Sequence, residues 1–152
     1  MHAFLAAHTT ELLHTFVQAV HTAAPATKFY RLAAVTSLVS HLPTATLAQF
    51  IPEIMTEVIM CSKEVTERTR AAAYTCMIEI GNAILAGEQQ QAASGAAASL
   101  TIQQYFELVV AGLAGQSPHM RSATILALSR LLYQFHENIS VGQADQVVQT
   151  VC

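Results

Sequence analysis

Thr69-Arg70-Ala71-Ala72-Ala73-Tyr74 opens a run of apolar residues at helical spacing, and the same arrangement recurs at Tyr30-Arg31-Leu32-Ala33-Ala34-Val35 and Met120-Arg121-Ser122-Ala123-Thr124-Ile125. The three arginines are 39 and 51 residues apart. Stacked two-helix repeats have periods of roughly 40 to 47 residues, and the longer interval holds an additional low-complexity tract. Two residues after each arginine stands Ala33, Ala72 or Ala123; four after, Val35, Tyr74 or Ile125; seven after, Leu38, Met77 or Leu128. Offsets of four and seven share a helical face. The larger residues are therefore expected to fill the layer between units, while the alanine lets helices approach. Each arginine has an apolar stem that can cover the end of the layer and a guanidinium that can reach carbonyls or a carboxylate of the preceding turn. Arg31, Arg70 and Arg121 are read as structural repeat positions.

Outward from these runs, the pattern predicts helices over Ala3 to Ala24, from Pro25 or Ala26 to Leu42, over Thr44 to the Cys61-Ser62 turn, and over Glu64 to Leu85. Pro43 stops the second, since a residue preceding proline is pushed out of the helical region, and Thr44 can cap the next. Pro52 falls inside an apolar stripe that continues on both sides, which favours one kinked helix over two short ones. Gly81 is expected where another helix crosses closely. The tract from Ala86 to Ser99 has nothing large to bury, so a flexible insertion is expected at about 87–99, with helical continuation as the alternative because Gln and Ala are good helix formers. Leu100 to Ala114 and a helix starting at Ser117-Pro118, the strongest start signal in the chain, complete a third pair. Gln143 to Cys152 is apolar-periodic and ends without a stop signal, which suggests a truncated fourth repeat.

A length of 152 residues suits a single continuous domain over 1–152. Apolar residues make up 53% of the chain and charged residues 11%, well under the usual quarter, so some exposed face is expected to be mildly apolar and to meet another protein. The formal charge is -3 and no Lys/Arg run occurs, which argues against direct nucleic-acid binding, whose affinity comes largely from neutralised phosphates. Glu64 and Arg68 have the i,i+4 order that supports a helix. Cys61, Cys76 and Cys152 form no CxxC and read as small hydrophobes. With no signal-peptide pattern, a reducing intracellular compartment fits. No apolar stretch reaches the length of a membrane span.

Motifs for chemistry are few. There is no phosphate loop, GxSxG elbow or HExxH, and no catalytic, cofactor-binding or metal-ligating residue is assigned. His8, Glu11 and His14 share one side of the first helix, with His21 nearby, and read as a polar face rather than a metal site. Glu53 and Glu57 are paired carboxylates one turn apart, better suited to meeting basic residues of a partner. Tyr74, Tyr105 and Tyr133 could stack on bases but are expected to pack in the core.

Phe50-Ile51-Pro52-Glu53-Ile54 and its continuation, a turn, then Thr69-Arg70-Ala71 through Ile80-Gly81 resembles a HEAT unit: an outer helix with proline and an inner helix opening apolar-Arg-x-Ala. More closely, Phe50 to Ile54, Cys61-Ser-Lys-Glu-Val65, Arg70 to Tyr74, Ile80-Gly81 and Ile125 to Phe135 resemble the conserved central region of the eukaryotic ribosomal RNA-processing protein twelve family, over roughly residues 28–152. The tract 87–99 departs in composition. The resemblance implies a large nuclear and nucleolar HEAT-repeat scaffold in ribosome assembly and export, whose partners are pre-ribosomal assembly factors, with RNA contacted only through the larger assembly.

The sequence thus predicts an all-α, HEAT/armadillo-like right-handed α-solenoid of about three helix pairs plus a terminal helix, acting as a non-enzymatic protein-binding scaffold without cofactor, membrane or small-molecule ligand. A general HEAT adaptor without a ribosomal role is the alternative, and a small helical enzyme would require a pocket gathering the histidines or carboxylates. Glu53, Glu57, Lys63, Glu67, Arg68 and Arg130 are the candidate protein contacts.

Overall fold

The structure, a computed structural model, describes residues 24–95 and 99–139, with isolated positions 8, 11, 15, 18, 19, 22, 142, 145 and 149. Each of those isolated positions is helical, and the expected first and last helices otherwise lie outside the described residues. Among the described residues all regular structure is helical. A 3-10 turn at Pro25–Thr27 leads into α1 (Lys28–Val39); α2 (Thr44–Cys61), α3 (Glu67–Ser94) and α4 (Ile102–Val110) follow; a second 3-10 turn, Ala111–Ala114, precedes α5 (Pro118–Gln134).

Packing follows the arginine helices. α1 lies chiefly against α3, α3 also against α2 and α5, and α5 against α2 and α4. The shared core is aliphatic, with Ile51, Ile54, Ile80 and Ile84 all at most 1% exposed. Its one large polar member, Tyr105, is fully buried and donates its hydroxyl to the Met77 carbonyl at 3.0 Å, which removes the cost of an unmatched phenol in the interior. Burial pushes that phenol well above its ordinary range.

Several start and stop signals act as their chemistry requires. Ser117 accepts a hydrogen bond from the Met120 amide at 3.1 Å with Pro118 in the first turn of α5. Thr101 and Gln104 form a capping box at α4, satisfying two otherwise orphaned amides. α2 runs as one helix through Pro52, which sits on its exposed side.

Other boundaries differ from expectation. α1 ends at Val39, short of Pro43, and the chain leaves it through a turn in which the His41 amide donates to the Leu38 carbonyl at 2.9 Å. Thr44 is the first residue of α2 and makes no cap bond; it packs instead against Gly87, where a Cβ would lie 2.4 Å from its hydroxyl oxygen. The insertion expected at about 87–99 is corrected over its first part. α3 continues as helix to Ser94 and stops at Gly95, whose φ of 73° is the left-handed stop that glycine adopts without strain. The Gln and Ala residues obey their helix propensity there. The carboxylate of Glu88 accepts from the Ile102 amide (3.2 Å) and Gln91 accepts from the Ser99 amide (3.0 Å), tying the far end back toward α4.

The alignment of the repeats is also looser than the offsets imply. Ala33 is exposed, Ala72 half-buried and only Ala123 buried; Ile125 is 42% exposed and Tyr133 77%. α1 buries Leu32, Val35 and Val39, whereas α3 buries Ala73, Cys76, Met77 and Ile80. The buried face of α1 is therefore rotated relative to its arginine, whereas α3 and α5 bury the same positions three, six, seven and ten residues after theirs, Ala73, Cys76, Met77 and Ile80 matching Thr124, Ala127, Leu128 and Leu131. The close approach expected at Gly81 is made by α5, through the ring of Phe135 at its C-terminal end.

Candidate functional site

Lys28, Arg31, Glu57, Glu64 and Arg70 gather where the start of α1, the end of α2 and the turn before α3 meet. Lys28 and Arg31 lie one turn apart on α1. Lys28 pairs with Glu64, and the Nη2 of Arg31 lies 3.4 Å from the Glu57 carboxylate on α2. Arg70 Nη1 donates to the Glu64 and Val65 carbonyls at 2.8 and 2.7 Å, closing the turn that carries Glu64. Beside this corner, the Arg68 guanidinium lies 3.7 Å from the centre of the Phe29 ring, and Phe29 meets Tyr30 edge to face. The arrangement is cation over aromatic face, which is attractive because the ring quadrupole is negative there.

Glu53 and Glu67 are exposed, Glu67 in the first turn of α3, where a carboxylate complements the helix dipole. Glu57 is half-buried and turned toward Arg31 of its own chain. Lys63 is exposed and donates to the Ser122 hydroxyl at 2.7 Å. Arg130 is exposed with its guanidinium 5.8 Å from the Tyr74 ring centre. Arg121 is exposed, its Nη1 3.4 Å from the Gly115 carbonyl oxygen. The helical Glu64 and Arg68 pair does not form: Glu64 precedes α3, and its partner is Lys28. Tyr133 is corrected from core to surface, and Tyr74 is half-buried with its hydroxyl 3.5 Å from the Ser62 carbonyl. His8 lies 3.7 Å from Glu11, while His14 and His21 fall outside the described residues. Lys28 and Phe29 were not singled out from sequence, although Lys28-Phe29-Tyr30-Arg31 is a dense run of long polar and aromatic side chains at a helix start.

Two electrostatic consequences follow for this corner. The hydrogen bond between them holds the Glu64 carboxyl below the ordinary 4.5 and lifts the Lys28 ammonium above 10.5. For Glu64 the stabilisation is present above the ordinary carboxylate value and is lost as pH falls through the lowered one. For Lys28 it is complete below the ordinary ammonium value and is lost as pH rises through the raised one. Urea unfolding of Lys28→Met and the parent is therefore expected to differ by about 1 kcal/mol near neutrality, the side chains being partly solvated, and to converge toward pH 3. A difference that stayed constant from pH 7 to pH 3 would contradict the assignment.

Cys61 lies within 3.9 Å of the Glu57 carboxylate, and burial first and that charge second push its thiol up to about 12; burial does the same to Cys76. A shift from 9.0 to about 12 removes about a thousandfold of the reactive thiolate. Iodoacetamide at pH 8 is expected to leave both unmodified in the native chain over a time that fully labels the urea-unfolded chain, as read by peptide mass mapping. The cavity beside Arg31, Glu57 and Cys61 holds about 10 Å³, about one water molecule. Within this corner the charged side chains chiefly pair with one another or with backbone carbonyls of the same chain.

Comparison with known proteins supplies the remaining constraint. No family model matches the chain. The RRP12-like protein of Gallus gallus is 31% identical over 151 residues, 99% of this chain and 11% of the relative. That of Homo sapiens is 31% identical over 150 residues, 98% of this chain and 11% of the relative. The ribosomal RNA-processing protein 12 of Saccharomyces cerevisiae is 27% identical over 150 residues, 93% of this chain and 12% of that protein. This chain is therefore a homologue of the RRP12-like and ribosomal RNA-processing 12 proteins, matching along almost its whole length a section about a ninth as long as they are.

Proposed function

We propose that the chain is a section of a right-handed HEAT-type solenoid that serves ribosomal RNA processing and pre-ribosome export by binding proteins, in the nucleus and nucleolus, and carries out no chemistry itself. The observation that carries this reading is a coincidence of two independent facts. The alignment extends over nearly the whole chain, and the three helices that open with the repeat arginine pack successively, α1 on α3 and α3 on α5, as stacked two-helix units require. Protein rather than RNA is the preferred partner, since seven Lys and Arg against ten Asp and Glu leave no positive footprint.

The test is affinity capture of the tagged chain from nuclear extract, with and without ribonuclease, followed by mass spectrometry. Enrichment of ribosome-assembly proteins that survives ribonuclease is the expected result. Enrichment lost on ribonuclease treatment would move the contact to RNA, and recovery of transport or other complexes in place of assembly proteins would favour a general HEAT adaptor.

A further inference from the structure

We propose that the groove between α1 and α3 is a docking site for one helix of a protein partner, carrying an acidic side chain at the Arg68 end and a basic one at the Glu79 end. The inference rests on the protein-binding reading above and adds the place and the chemistry. The groove is shallow and open to solvent, about 660 Å³ in extent, with Phe29, Ala33 and Ser37 on one wall and Arg68, Ala71, Thr75 and Glu79 on the other.

Its dimensions select a helix. Phe29 and Arg68 meet at one end, and the walls run to Ser40 and Glu79 at the other. Those pairs are each separated by eleven residues, or about 16 Å of helix, the length of three turns. The middle of both walls is alanine and hydroxyl residues, so a third helix can approach closely. An extended segment would find no partner for its backbone here, because the amides and carbonyls of α1 and α3 are spent within their own helices. A helix satisfies its own backbone and needs only side-chain contact.

Its charges select the ends. Among the described residues neither Arg68 nor Glu79 has an ion-pair partner. Stacking on Phe29 fixes the Arg68 guanidinium while leaving its in-plane N–H groups for a carboxylate, and a cation held in place loses little freedom on binding. Glu79 is half-buried at the opposite end and suits an ammonium or guanidinium. A single arginine facing a carboxylate at the far end of the groove is a poor track for a phosphate backbone.

The test is panning of a displayed library of sixteen-residue helical peptides on the full chain, followed by fluorescence anisotropy with the most enriched peptide. Enriched sequences are expected to pair an acid and a base two to three turns apart. Ser37→Trp, which fills the groove from an exposed position, is expected to weaken binding at least tenfold, Arg68→Glu severalfold, and Ser129→Trp on α5 not at all. Binding unchanged by Ser37→Trp, or displacement of the peptide from the groove by a fifteen-nucleotide oligouridine, would overturn the proposal. Capture of assembly proteins by the Ser37→Trp chain at the parent level would overturn the groove as their site while leaving the scaffold reading intact. Groove binding of peptide together with no capture of assembly proteins would do the reverse.

Discussion

Truncation of Phe135 to alanine is expected to cost about 3–5 kcal/mol of stability, and to reverse the effect of a second substitution at Gly81. The Phe135 ring is 2% exposed, meets Phe106 edge to face at 6.5 Å, and covers Gly81, where a Cβ would sit 2.4 Å from the ring. Alanine is the better helix former by about 1 kcal/mol, but forcing the ring aside costs about 1–3 kcal/mol. Gly81→Ala alone is therefore expected to destabilise by about 1 kcal/mol, and in the Phe135→Ala background to stabilise by a similar amount, since only the propensity gain survives. Urea midpoints of the four proteins decide this, and stabilisation by Gly81→Ala in both backgrounds would show that the ring does not pack there.

The three repeat arginines should contribute unequally despite their equivalent positions in sequence. Arg31 is 12% exposed at its side chain and faces a Glu57 carboxylate that is 28% exposed. Arg31→Ala removes a packed stem and strands that carboxylate, an expected loss of about 2–3 kcal/mol, less than a fully buried pair because Glu57 still reaches water. Arg70→Ala gives up two charged hydrogen bonds to carbonyls of one turn, an expected loss of about 1–2 kcal/mol. Arg121 is exposed, with its guanidinium 3.4 Å from one carbonyl oxygen, and its alanine variant is expected to lose under about 0.5 kcal/mol. Chemical denaturation of the three variants gives the order directly. Equal losses would mean that the repeat position itself, and not the local partner, sets the contribution.

That ordering marks where the sequence could and could not be read. Ser117-Pro118 and the apolar stripe through Pro52 were legible because the chemistry that fixes them lies within a few residues. The end of α1 at Val39 was placed too late from Pro43, because a proline marks only the last residue a helix could reach, and the chain already turns at Ser40 and His41. Partners far apart in sequence were not legible: Lys28 with Glu64, or Phe29 beneath Arg68, depend on α1 lying along α3. The run Glu64 to Arg68 suggested a helical pair because i,i+4 spacing was visible, whereas the turn that takes Glu64 out of the helix is held by Arg70. Of the six candidate contacts, Arg68 gained an aromatic support and Glu57 an internal partner, and neither could be inferred without the packing.

The extension of α3 past Gly87 bears on how such a chain tolerates change in length. Residues 89–94 are exposed except for a half-buried Gln91, so the interval that separates the second and third arginines by 51 residues is stored as helix projecting along its own axis. Gly87 is the last buried residue of α3 and Gln91 the last to bond toward α4, so turns added beyond Gln91 are expected to leave the buried layers in place. A longer or shorter tip is therefore expected to change the reach of α3 into solvent without changing how its buried half meets α1, α2 and α5.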